Sequence, residues 1–314
     1  AILLTEVYDY NHTYYYEALS LAISAYRKSK NYEVAEINLK KMKLGLKKII
    51  GAYKSENQLL YNYYMICLKE FVVLYASMNN FAAAAKYEEL LLGEDHDFLT
   101  AEDASELKLA KAMILRGSNR FDQAIDTIEE IKSSGLETLS DYLVVNLLTE
   151  LASLYNAKGN VEAAAYEINS ALDVLKNAGL GNAEIKSAYI ETLTLKISIL
   201  SEFVKRIDAN NQDCDFDDEC ADLKSDISAS YAEMTQFIIT ELQTKDVLLE
   251  EALYINPLHR HILYLGKTKE FKEGVGLCDD ILVVLKKYYS NFNKYVGYTY
   301  ELKARLMAKR AEYN

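Results

Sequence analysis

A chain of 314 residues that is 50% hydrophobic, with one proline and 12 glycines, can form a continuous core and has too few chain breakers for a β-rich or loop-rich fold. Its net charge of −12 opposes direct nucleic-acid binding, which gains affinity from clustered Lys and Arg against phosphate. No run of about 18 apolar residues is present and residues 1–4 are too short an apolar stretch for a secretory signal, so a soluble, cytoplasmic protein with no membrane insertion is expected.

In chain order, apolar residues at helical spacing predict a first helical hairpin over residues 14–28 and 32–53 and a second over 59–78 and 81–92. A polar loop at 93–97 follows. Thr100-Ala101-Glu102-Asp103 then predicts a capped helix start, because threonine accepts amide hydrogens and acids favour the positive helix end. Leu107, Ala110, Ala112, Ile114 and Leu115 continue that helix, and a third and a fourth hairpin run to about residue 176. The glycine-rich segment 177–182 is a loop signal. A helix over 183–207, with Leu193, Leu195, Ile197, Ile199 and Leu200, leads through an acidic loop to another helix starting near Ala221, a fifth and longer pair. Glu251 to Pro257 reads as the end of a repeat unit and Lys269 to Gly274 as a further turn. A last helix over 295–313 is expected to cap the array, with Lys303, Arg305, Lys309 and Arg310 facing water. No linker divides the chain, so one elongated domain over 1–314 is expected, with clearer hairpins in 1–176 and degenerate ones in 177–314. A chain opening on Ala1 is read as processed or trimmed.

The hairpins share a register. Ala35, Ala84, Ala124 and Ala164 each follow, by three residues, Tyr32, Phe81, Phe121 and Val161. Nine residues before each alanine stand Tyr26, Tyr75, Leu115 and Tyr155, and seven after it stand Met42, Leu91, Ile131 and Ala171. In the fourth unit Leu148, Ala152, Tyr155, Gly159, Ala164, Ala171 and Leu172 present large, small, aromatic, glycine and small residues in the order of the tetratricopeptide repeat, which the chain resembles. Gly159 is matched with Lys30, Asn79 and Ser118, and the terminal proline of that family is missing. The alanines lie 49, 40 and 40 residues apart rather than about 34, so the repeats are extended, as in kinesin light chains and bacterial peptide-sensing regulators.

The resemblance implies an all-α, right-handed superhelix of antiparallel hairpins that binds a protein or peptide along the surface made by the first helix of each pair. Carried onto this chain, the groove positions are Arg27, Lys28, Lys69, Arg116, Asn146, Thr149 and Asn156. A non-catalytic scaffold or adaptor is expected. The alternatives are a peptide-sensing module of a larger signalling or transcription regulator and a structural subunit of a large assembly.

Chemistry has no anchor in the sequence. No phosphate-cradling glycine loop, nucleophile elbow or Cys-x-x-Cys pair occurs, so no enzyme activity, cofactor or metal is expected. The histidines are His12, His96, His259 and His261; the last two, beside Pro257, would lie on different faces of a helix and are assigned to a turn or surface. Asp213, Asp215, Asp217, Asp218 and Glu219 lack the glycine and distal glutamate of a calcium loop and read as solvated. Cys67 and Cys278 read as core residues, whereas Cys214 and Cys220 could form a small disulfide, which would favour an oxidising compartment. Lys40, Lys41, Lys43, Lys47, Lys48 and Lys54 read as a solvated helix face, with a patch for an acidic peptide as the other option. The tyrosine clusters Tyr14 to Tyr16 and Tyr61, Tyr63 and Tyr64 are assigned to helix packing rather than to a groove lining.

Overall fold

The computed structural model describes residues 13–53, 58–91, 99–210, 218–244, 251–289 and 293–313, which hold thirteen α-helices and no strand. The chain is all-α. The helices are α1 (Thr13–Lys28), α2 (Tyr32–Tyr53), α3 (Gln58–Ser77), α4 (Phe81–Leu91), α5 (Ala101–Gly117), α6 (Phe121–Ser133), α7 (Asp141–Ala157) and α8 (Val161–Ala178). They continue with α9 (Ala183–Asn210), α10 (Asp218–Thr244), α11 (Glu251–Lys267), α12 (Phe271–Tyr288) and α13 (Lys294–Tyr313). Two compact units divide the chain, residues 1–185 and 186–314.

In the N-terminal unit α1 to α8 form four antiparallel hairpins, and the shared register has a physical cause. Ala35, Ala84, Ala124 and Ala164 are fully excluded from solvent, because each lies where the second helix crosses the first and a larger side chain would hold the two apart. Met42, Leu91, Ile131 and Ala171, two turns further along, are buried on the same face. The first helices also pack on one another, α1 on α3, α3 on α5 and α5 on α7, while each second helix packs on the first helix of its own hairpin. Tyr16, Ile23, Leu39, Met42, Leu46, Phe71 and Leu74 fill one core, and Ile128, Leu147 and Leu151 a second. Each such side chain contributes about 1.5–3 kcal/mol of burial.

The turns are identical to the level of single hydrogen bonds. Lys30, Asn79, Asn119 and Gly159 have positive φ (59°, 56°, 59° and 81°), and the next amide, of Asn31, Asn80, Arg120 or Asn160, donates back to the carbonyl of Tyr26, Tyr75, Leu115 or Tyr155 at 2.8–2.9 Å. This is the Schellman helix end, which needs one left-handed residue. The counterpart of Gly159 is therefore Asn119 and not Ser118. Thr100 caps α5 as expected: its hydroxyl accepts from the Asp103 amide, and the Asp103 carboxylate accepts from the Thr100 amide.

The same register recurs in the C-terminal unit. Lys269 has φ 66°, and Glu270 N donates to Leu265 O at 2.9 Å. Phe271 stands three residues before Gly274, and Ile281, seven after it, is fully buried. Gly274 takes the alanine position because a Cβ there would lie 2.7 Å from Leu306 Cδ1 of α13. Pro257 does not end a repeat: it lies inside α11, where it removes one ladder hydrogen bond. On α13, Lys303 reaches Asp279 of α12 at 2.5 Å, Arg305 pairs with Glu301, and Val296, Thr299, Leu302 and Leu306 are buried.

Candidate interaction surface

The first helices of the N-terminal unit carry the expected groove residues, and Arg27, Lys69 and Arg116 among them are held by carboxylates of neighbouring first helices. Arg27, in the last turn of α1, is only 6% exposed; its Nε donates to Glu70 of α3 at 3.0 Å and its Nη2 to Glu106 of α5 at 2.9 Å. Lys69 Nζ, equally buried, reaches Glu70 at 2.8 Å, Asp103 at 2.8 Å and Glu106 at 2.9 Å. Two cations and three carboxylates thus tie α1, α3 and α5 together. Burial alone would depress the Lys69 ammonium, but Glu70, Glu106 and Asp103 outweigh it and hold it above its usual range. Burial likewise raises the Glu106 and Asp103 carboxyls, and the cations, Arg27 and Lys69 for Glu106 and Lys69 for Asp103, more than reverse it.

A second link joins α5 to α7. Arg116 Nε donates to Glu150 at 2.5 Å, and here burial prevails over the guanidinium, so the Glu150 carboxyl lies above its usual range. Lys28 reaches from α1 to α7, its Nζ 5.5 Å from the centre of the Tyr142 ring. The remaining expected residues lie on α7. Tyr142, Asn146, Thr149, Ser153 and Asn156 follow one another by three or four residues and form a half-exposed stripe. The Thr149 hydroxyl donates to the Val145 carbonyl at 2.9 Å, which leaves its lone pairs for a partner.

The fold therefore brings Arg27 and Lys69 together through Glu106, pairs Arg116 with Glu150, and sets Asn146, Thr149 and Asn156 apart on α7. The sequence reading names the cations and omits Glu70, Asp103, Glu106 and Glu150. A signal existed: Arg27, Lys69 and Arg116 each have a carboxylate on the next first helix, 34 to 43 positions later, in Glu70, Asp103 and Glu150.

Other side chains are placed as follows. His259 and His261 are buried on α11, not in a turn or on the surface: His261 Nδ1 lies 2.8 Å from Thr235 Oγ1 of α10, and His259 Nε2 2.9 Å from Thr299 Oγ1 of α13. Burial pulls both imidazoles down to about 4, so both are neutral at pH 7. Cys67 and Cys278 are free and buried, and burial pushes their thiols up to about 12 and about 11. Cys220 is buried, whereas Cys214, His12, His96, Lys54 and the acidic residues 213, 215 and 217 lie outside the described residues. Lys43 turns inward onto Tyr87, while Lys40, Lys41, Lys47 and Lys48 are exposed. Among the described residues no group of three or more His, Cys, Asp or Glu is placed to hold a metal ion, and no helix is long and apolar enough to cross a membrane.

No protein-family model and no curated protein matches the sequence. Among solved structures the chain is similar to the crystal structure of the apo form of RapI, with a TM-score of 0.60 at 14% identity over 95% of this chain and 72% of that one. At that identity the likeness concerns the fold, which is helical-repeat in kind.

Proposed function

We propose that this chain is a non-catalytic scaffold that binds an extended peptide or a partner helix along the first-helix face of residues 1–185. The observation that carries the reading is the stripe Tyr142, Asn146, Thr149, Ser153 and Asn156 on α7, residues at helical spacing that are half-exposed, with the Asn156 Oδ1 turned inward. Such groups suit the hydrogen-bonding needs of a peptide backbone. Arg27, Lys69 and Arg116 hold the helices that frame the stripe, and Lys28 borders it over Tyr142. A related reading, a ligand-sensing module, gains support from likeness to a protein crystallised in an apo form, a description that implies a liganded one.

Selection from a displayed peptide library against the whole chain tests the scaffold. Asn146→Ala with Asn156→Ala should weaken selected peptides about fivefold or more, since two backbone hydrogen bonds contribute about 0.5–1.5 kcal/mol each. Unchanged affinity in that variant would remove α7 from the binding face.

A further inference from the structure

In the N-terminal unit the grooves between successive second helices are bridged by one recurring contact. Eight residues after its turn alanine, a second helix sends a lysine to the residue three after the next turn alanine. Lys43 so reaches Tyr87 at 3.2 Å, and Lys132 reaches Glu167 at 2.8 Å. The middle pair in this register is Leu92 and Thr127. Leucine has no donor, and the Thr127 hydroxyl already donates to Gln123 O at 2.7 Å. Leu92 itself lies outside the described residues.

A cavity of about 560 Å³ occupies this groove, between α4 and α6 with α5 as its floor. That volume is within the range small ligands fill. Ile114 and Leu115 give it an apolar base, and Glu88, Lys111 and Arg120 place charge around it. Among the described residues neither Lys111 nor Arg120 makes an ion pair, whereas Arg27, Lys69, Arg116 and Lys132 each do. Arg120 also precedes the first turn of α6, whose positive end favours an anion. Glu88 lies half-buried; burial pushes its carboxyl up, and the field of Lys111 offsets this in part.

We propose that this cleft binds a zwitterion of dipeptide size with an aliphatic side chain: carboxylate toward Lys111 and Arg120, ammonium toward Glu88, side chain on Ile114 and Leu115. Opposite charges on the rim and an apolar base match such a molecule on all three counts. The site is built by α4, α5 and the start of α6, and none of the groove residues proposed above lines it.

Ligand-observed NMR on the whole chain with alanyl-leucine up to about 10 mM tests it, that range being suited to weak binding of a small ligand. Saturable binding is expected, at least tenfold weaker for the C-terminal amide and for the N-acetyl form. Arg120→Gln and Lys111→Gln should each weaken the free dipeptide at least tenfold. Glu88→Gln should weaken the free dipeptide and leave the N-acetyl form unchanged. No saturable binding, equal binding of the amide, or displacement by inorganic phosphate at equal concentration would overturn the proposal. Lys111 and Arg120 are exposed, so their variants retain the fold, and the three ligand forms decide the matter without any variant.

Discussion

At the scale of single residues, the hairpin turns make the sharpest demand. A left-handed residue other than glycine carries a strain of about 1–2 kcal/mol, partly offset because glycine would add unfolded-state entropy. Lys30→Gly should therefore stabilise the N-terminal unit by about 0.5 kcal/mol, and Gly159→Ala should destabilise it by about 1 kcal/mol, both read from denaturant unfolding. Opposite signs at these two positions are the test; equal signs would mean the turns are not equivalent. Gly117 meets a different constraint, because a Cβ there would lie 2.1 Å from the Phe81 ring of the preceding hairpin. Gly117→Ala should cost about 1–3 kcal/mol through overpacking, with the loss visible as a lowered melting temperature. The turn alanines were legible in the sequence because a small residue at a helix crossing has few substitutes. The position matched to Gly159 in the third repeat was legible as well and was misassigned: Gly159 stands five residues before Ala164, and the residue five before Ala124 is Asn119, whose φ is positive, not Ser118.

Between elements, the charges at the first-helix interface decide more than their number suggests. Glu106 accepts from both Arg27 and Lys69, so its removal takes one partner from each buried cation and leaves Arg27 on Glu70 and Lys69 on Glu70 and Asp103. Glu106→Ala should destabilise the N-terminal unit by about 1.5–3 kcal/mol, the loss of charge-assisted hydrogen bonds rather than of all compensation. Replacing Arg27 and Lys69 by Met and Glu70 and Glu106 by Leu together should recover most of that loss, since a buried ion set and an apolar set of similar volume are often comparable in stability. Unfolding midpoints of the single and quadruple variants check both statements. The network left only a long-range mark in the sequence, because Arg27, Lys69 and Arg116 stand on three different helices and each looks solvated until the carboxylate 34 to 43 residues on, in the next first helix, is in place. Asn146, Thr149 and Asn156 on α7 were legible only through the groove positions of the family the chain resembles; they repeat at three and seven residues on a helix that also carries the polar Asp141, Glu150 and Ser153. Pro257 misled for a related reason: α11 continues past it to Lys267 with one ladder hydrogen bond lost, so a proline does not mark a boundary by itself.

Across the molecule, the two units respond to acid in different pH windows. His259 and His261 lie in the C-terminal unit with folded values near 4 against an ordinary 6.5, so the unfolded chain takes up protons first. Their contribution is full above about pH 6.5 and is lost as pH falls toward 4, on the order of 1 kcal/mol each by pH 5. Among the described residues no carboxylate contacts either ring: His261 stacks on Tyr231 at 5.0 Å and bonds Thr235, and His259 meets the edge of Tyr298 and bonds Thr299. The N-terminal unit depends instead on Glu106 and Asp103, whose folded values are depressed. Their stabilisation persists above about pH 4.5 and falls only below it, as both states become protonated. Hydrogen exchange followed by mass spectrometry should then show α10 to α13 losing protection between pH 7 and 5 while α1 to α5 keep theirs. His261→Phe, which retains the stack on Tyr231 and cannot be protonated, should remove part of that acid sensitivity. Loss of protection in α1 to α5 at the higher pH would instead place the acid-sensitive groups in the N-terminal unit.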